Sequence, residues 1–176
     1  MTPYISYSLA LAIALSLASC SGHSGETTSQ SEKSSPTRTE KAEAVKEKAM
    51  EEIVNGYLDI KNALVASNAE NAKAGAVALL EVIDATRMPE MQQTTKEMAA
   101  ATELGVQRTY FDSLSVALYE EIKEQPGNYQ TLFKQYCPMA FDNRGAFWLS
   151  SNREIENPYF GDEMMNCGRV EEEIKF

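Results

Sequence analysis

The chain is organised around a C-terminal stretch that contains Tyr136-Cys-Pro-Met-Ala-Phe141 and Met164-Met-Asn-Cys-Gly168. Each of its two cysteines has a methionine close by, in the patterns Cys137-x-Met139 and Met164-x-x-Cys167. Thiolate and thioether sulfur are soft donors, which select Cu(I) over the oxygen-seeking ions Mg²⁺ and Ca²⁺. If the fold carries both arms to one place, Cys137, Met139, Met164 and Cys167 form a site for one soft metal ion.

The same two thiols can instead form a disulfide between Cys137 and Cys167. Disulfides are natural in exported proteins, and a loop of this length gains about 3.5 kcal/mol of stability in the chain-entropy model. Met139 and Met164 are then packing residues, which is a common role for methionine. The residues alone leave both interpretations open.

The N-terminus predicts export. An apolar run from Leu9 to Ala18 is too short to span a membrane as a mature helix and ends in small residues before Cys20. The sequence Leu17-Ala-Ser-Cys20 resembles a bacterial lipobox, so we interpret residues 1–19 as a lipoprotein signal peptide and Cys20 as the lipidated first residue. The alternative is an ordinary cleaved signal followed by an incidental cysteine. We expect a protein exported and lipid-anchored to the bacterial cell envelope, at a periplasmic or outer-membrane face.

Residues 20–39 have almost no side chains to bury and predict a flexible tether. The one histidine, His23, lies in it, which excludes Ser/His/Asp and Cys/His catalysis and nearly all zinc enzymes from the domain that follows. We therefore predict no enzyme. The net charge of -10 disfavours a nucleic-acid partner and favours cations.

Residues 40–176 predict one mainly α domain. Glu40 to Ala66 carries apolar residues at helical spacing, whereas Lys46, Lys48 and Lys61 are assigned to its solvated face. Further helix signals are a capping box at Ser67-Asn-Ala-Glu70, a start at Pro89, a break at Gly105 and a stop at Pro126-Gly127. Four helices with short connections predict an antiparallel four-helix bundle.

A small C-terminal module follows the helices. Tyr129 to Cys137 and Ala146 to Ser150 predict short strands, joined by a turn at Asp142-Asn-Arg-Gly145 into a β-hairpin with irregular segments. At strand period, Cys137 and Met139 would point to the same side.

Two sets of runs in the chain carry a family resemblance. The C-terminal runs are Tyr136-Cys-Pro-Met-Ala140, Trp148-Leu-Ser150, Ile155-x-Asn-Pro-Tyr-Phe-Gly161 and Met164-x-x-Cys-Gly168. The helical runs are Tyr57-Leu-x-Ile-Lys-Asn-Ala-Leu64 and Arg108-x-x-Phe-x-x-Leu-Ser115. Together they resemble one uncharacterised bacterial family, domain of unknown function 3347, over roughly residues 50–172.

In that family the domain occurs in exported proteins, alone or on the periplasmic adaptor subunits of heavy-metal efflux pumps. The resemblance implies copper handling, with efflux components as partners besides the membrane. We therefore expect an accessory protein of copper handling or heavy-metal efflux that binds Cu(I). The runner-up is a non-catalytic interaction domain stapled by the disulfide.

Overall fold

The computed structural model describes residues 38–125, 127 and 130–176. The predicted signal peptide at 1–19, Cys20, His23 and the predicted tether up to residue 37 lie outside them. In chain order the elements are helices α1 (Arg38–Val65), α2 (Ala69–Val82), α3 (Pro89–Ala100) and α4 (Leu104–Glu124), strand β1 (Leu132–Cys137), the single turn α5 (Ala140–Asn143), strand β2 (Ala146–Ser150), a 3-10 turn (Gly161–Glu163) and strand β3 (Arg169–Ile174).

The fold is mostly helical, as predicted, with a small C-terminal sheet. In α1 the predicted apolar stripe is buried at Ile53, Tyr57, Ile60 and Leu64, because steps of three and four place these side chains on one helix face. The stripe does not extend to Val45, which is 64% exposed. In the described part of the chain, no helix is long and apolar enough to cross a membrane.

Two predicted helix boundaries are wrong. The N-cap of α2 is Asn68, whose side chain accepts a hydrogen bond from the Asn71 N–H at 2.9 Å. Ser67 cannot take that place because it adopts a left-handed backbone with φ of 52°. Gly105 does not end α3, which stops at Ala100; it lies in the first turn of α4.

The predicted hairpin is part of a three-stranded antiparallel sheet of order β2-β1-β3. β1 and β2 pair as predicted, with Cys137 opposite Ala146. The third strand, β3, was missed; it pairs with the other side of β1 and places Tyr136 opposite Arg169. The central strand therefore ends at Cys137, beside both neighbours.

The helices pack mainly against their neighbours in the chain, and α4 also packs against β2. A direct link joins α1, α4 and β2 at Tyr57, whose buried hydroxyl accepts from the Leu149 N–H at 3.0 Å and is hydrogen-bonded to the Ser115 hydroxyl at 2.7 Å. The Tyr57 ring stacks on Phe111 with centroids 4.9 Å apart. The antiparallel four-helix bundle itself stays a prediction.

Candidate soft-metal site

The two cysteines of the domain meet. Cys137 ends β1 and is fully buried, whereas Cys167 precedes β3 and is half-buried. Their sulfur atoms lie 3.1 Å apart, across a separation of 30 positions in the chain, and both are free thiols. The fold thus brings together the pair of soft donors that the sequence singled out.

Proton loss from the Cys167 thiol is less favourable than from an ordinary cysteine. The hydrogen bond to Cys137, followed by burial, raises the pKa of the Cys167 thiol. A metal ion binds the thiolate, so it must displace protons from the pair and binds more weakly as the pH falls. A disulfide would use the same two sulfur atoms and exclude that metal.

The two methionines also share a location, but it is a different one. Met139 and Met164 both line a cavity of about 530 Å³, together with the aromatic side chains of Phe141, Tyr159 and Phe160. Among the described residues that line this cavity there is no cysteine. The four predicted ligands therefore form two pairs, one of thiols and one of thioethers.

The prediction that Cys137 and Met139 point to the same side of a strand is wrong. β1 ends at Cys137 and Pro138 begins a turn, so the alternation of a strand does not continue to Met139. Cys137 is fully buried, while Met139 is 46% exposed. The two side chains thus lie in different environments although only Pro138 separates them.

A left-handed turn carries the chain away from Met139. Phe141, Asp142 and Asn143 have φ values of 52°, 57° and 70°, and Gly145 follows at 80°. A side chain at Gly145 would collide with the Tyr136 hydroxyl, so glycine is required there. Left-handed backbone is costly for residues such as phenylalanine, and such strain is concentrated at functional sites. All three left-handed residues line the methionine cavity.

Asn157 is hydrogen-bonded to the segment that contains Met164 and Cys167. It is fully buried, and its side-chain N–H donates to the Cys167 carbonyl at 2.8 Å while its backbone N–H donates to the Met165 carbonyl at 2.8 Å. Its side-chain oxygen accepts from the Tyr159 N–H at 2.8 Å. One amide therefore connects the Asn157-Pro-Tyr run to the turn that bears Met164 and Cys167.

The prediction that Lys61 lies on a solvated helix face is wrong. Lys61 is 2% exposed and donates to the Glu156 carboxylate at 2.9 Å, tying α1 to the segment just before Asn157. Helical spacing could have predicted that Lys61 is buried, because it lies four residues after Tyr57 and three before Leu64 on the same helix face. The roles of Lys61 and Asn157 were missed because their partners are distant in the chain.

Nitrogen and oxygen ligands do not form a comparable cluster in the described residues. Within residues 38–125, 127 and 130–176 there is no group of three or more histidine, cysteine, aspartate or glutamate side chains able to hold a metal ion. The described domain instead contains two thiols in contact and two thioethers that line one cavity. It is a mainly helical domain whose small C-terminal sheet carries a sulfur-rich site.

The model of the family described as protein of unknown function (DUF3347) matches residues 53–128 of the chain. The match confirms the resemblance for the helical part and includes both helical runs on which it was based. The runs that contain Cys137 and Cys167 lie beyond the matched residues. No curated protein and no solved structure was found to match the chain.

Proposed function

We propose that this protein is an exported, lipid-anchored accessory of copper handling or heavy-metal efflux that binds Cu(I). Cys137 and Cys167 hold the ion, and Met139 and Met164 offer thioether sulfur at the neighbouring cavity. The protein is not an enzyme, and its anchor is Cys20. The antiparallel arrangement of the four helices belongs to the same proposal, as the scaffold of the site.

The observation that carries the proposal is the contact between the two thiols. Their sulfur atoms are 3.1 Å apart, and Cys137 is closed off from solvent. Two thiolates with thioethers close by suit Cu(I), which accepts soft ligands in low number, better than they suit Zn²⁺, which usually takes four ligands from cysteine, histidine and carboxylate.

The net charge of -10 supports a cationic ligand. It raises the local concentration of metal cations and repels polyanions such as nucleic acids. Efflux components as partners rest on the family resemblance, which implies an association with pump adaptors.

The second candidate is a non-catalytic interaction domain stapled by a Cys137–Cys167 disulfide. The same contact favours it, because two thiols this close need little movement to become a disulfide in an oxidising compartment. In that case the methionines are packing residues and the protein takes up no metal.

A Cu(I) competition titration of the reduced full-length protein separates the two. We expect about one ion per chain, tight binding that is lost in Cys137→Ser and in Cys167→Ser, and a rise in melting temperature on loading. Zn²⁺ should compete poorly. Met98→Leu, in the core, is the matched control and should bind like the parent. Absence of Cu(I) uptake by the reduced parent would contradict the proposal.

A further inference from the structure

The described methionines differ in burial, and Met164 and Met165 are half-buried, between the two extremes. Met50, Met88, Met91 and Met98 are between 0% and 5% exposed and fill the core, as methionine commonly does. Met139 is 46% exposed, the least favourable place for an apolar side chain that only packs. Packing therefore does not explain why a methionine stands at position 139.

The cavity that Met139 shares with Met164 suits a soft ion of low charge. Its walls include the aromatic side chains Phe141, Tyr159 and Phe160. The oxygen-bearing side chains Thr109, Asp142 and Asn143 fall short of the roughly six to eight oxygen ligands that Ca²⁺ takes. Its lining also includes one cation, Arg108, and one carboxylate, Asp142, which offset each other. The two thioethers are thus the soft donors that this cavity presents.

The thioethers lie close to the thiols along the chain. Met139 is two residues from Cys137, which limits the distance between their Cα atoms to about 7 Å. On the other arm, the Cys167 N–H donates to the Met164 carbonyl at 3.0 Å, so the turn between them is tight. An ion bound by the methionines is therefore one short step from the buried thiol pair.

We propose, resting on the function proposed above, that this cavity is a receiving site that captures Cu(I) through Met139 and Met164 and passes it to Cys137 and Cys167. Neutral thioethers need no deprotonation, so capture is fast and weak. Transfer replaces the thioethers by thiolates while copper stays Cu(I). The two thiol protons leave to solvent, and no oxidant or reductant is required.

Stopped-flow uptake of Cu(I) from its bicinchoninate complex tests the order of events. In the full-length reduced protein, Met139→Leu and Met164→Leu should lose the fast phase of uptake while the equilibrium affinity stays within about threefold of the parent. Met165→Leu is the matched control, because Met165 lines a separate cavity with Glu154, Ile155, Glu156 and Asn166. It should keep the fast phase.

A second measurement observes the receiving site directly. In the Cys137→Ser, Cys167→Ser double variant, Ag(I) should shift the methyl resonances of Met139 and Met164 and leave those of Met165 and Met98 unchanged. Equal shifts at all four methionines, or none, would overturn the receiving site.

The kinetic outcomes separate this inference from the function on which it rests. If the Met139→Leu, Met164→Leu double variant keeps the fast phase, the receiving site is wrong. If that variant loses both the fast phase and the equilibrium affinity, all four sulfur atoms hold one ion together, which also overturns the receiving site. If the parent takes up no Cu(I), the proposed function fails and the receiving site fails with it.

Discussion

Asn157 is a buried amide that positions Cys167, one of the proposed metal ligands. Its side chain donates to the Cys167 carbonyl and accepts from the Tyr159 N–H, so it fixes the backbone on both sides of the turn that bears Met164. The hydrogen bonds of a residue beside a metal ligand orient that ligand and tune its affinity. Under the proposed function, Asn157 is such a positioning residue, since its side chain is hydrogen-bonded to the Cys167 carbonyl.

Asn157→Leu keeps most of the side-chain volume and removes both of these hydrogen bonds. Two buried backbone groups lose their partner, so we expect a loss of about 1 to 3 kcal/mol in the free energy of unfolding. Cu(I) affinity should fall by about 10- to 100-fold. Chemical denaturation and a competition titration measure both. Asn166→Leu, at an exposed position of the same turn, is the control; an Asn157→Leu variant that binds like the control would contradict the assigned role.

The Lys61–Glu156 pair should respond unequally to the loss of its two members. Lys61 is 2% exposed, whereas Glu156 is 40% exposed and can be solvated without its partner. We expect Lys61→Met to change the free energy of unfolding by less than about 1.5 kcal/mol, because it replaces a buried charge with an apolar chain. Glu156→Ala strands that charge and should cost about 2 kcal/mol or more. Urea denaturation compares them, and equal costs would refute the asymmetry.

At the scale of elements, local patterns predicted the helices and two of the strands. Apolar spacing in α1 and the proline at the start of α3 depend on neighbours in sequence. β3 could not be predicted from local patterns, because its sequence Arg169-Val-Glu-Glu-Glu-Ile174 is mostly charged. Its position depends on partners that are distant in the chain. One of these is Tyr119 on α4, which donates to the Glu172 carboxylate at 2.7 Å. The separation of the methionines from the cysteines could not be predicted either. It depends on the end of β1 at Cys137, after which the chain turns and Met139 leaves the strand.

Close packing of α1 on α2 gives a prediction with an internal control. A Cβ at Gly75 would lie 2.9 Å from Ile60 Cγ1, whereas one at Gly105 would meet nothing within 4 Å. Gly105→Ala should stabilise the protein by up to about 1 kcal/mol through helix propensity. Gly75→Ala should instead cost about 1 to 3 kcal/mol through overpacking. Melting temperatures test both signs, and a stabilising Gly75→Ala would show that the two helices are not in close contact there.

At the scale of the molecule, the helices hold the C-terminal module at several points. Tyr57 accepts from the Leu149 N–H, Lys61 binds Glu156, and Arg108 donates to the Pro158 carbonyl at 2.9 Å. All three helical residues lie within the segment that matches the family model. The matched helices therefore act as the support on which the sulfur-rich module is built.

The buried tyrosines predict how stability depends on pH. Burial is the main cause that raises the pKa of Tyr57 and of Tyr159 above the ordinary value. Because the folded state holds these protons more tightly than the unfolded chain does, their contribution is complete below about pH 10 and is lost as the pH rises further. Each group adds a slope of up to about 1.4 kcal/mol per pH unit.

Denaturation of the reduced protein at a series of alkaline pH values measures this slope. Tyr159→Phe removes one of the two titrating groups and should make the fall in stability shallower. A parent and a variant with the same slope above pH 10 would contradict the assignment.

Counting free thiols in protein taken from its own compartment tests the central claim most directly. Cells are quenched with acid and a thiol-alkylating reagent, and the mass of the chain reports how many of Cys137 and Cys167 were reduced. We expect two alkylated cysteines in metal-free protein and protection of both after loading with Cu(I). A chain that carries no alkylation and gains two reactive thiols only after a disulfide reductant would contradict the claim and would establish the Cys137–Cys167 disulfide instead.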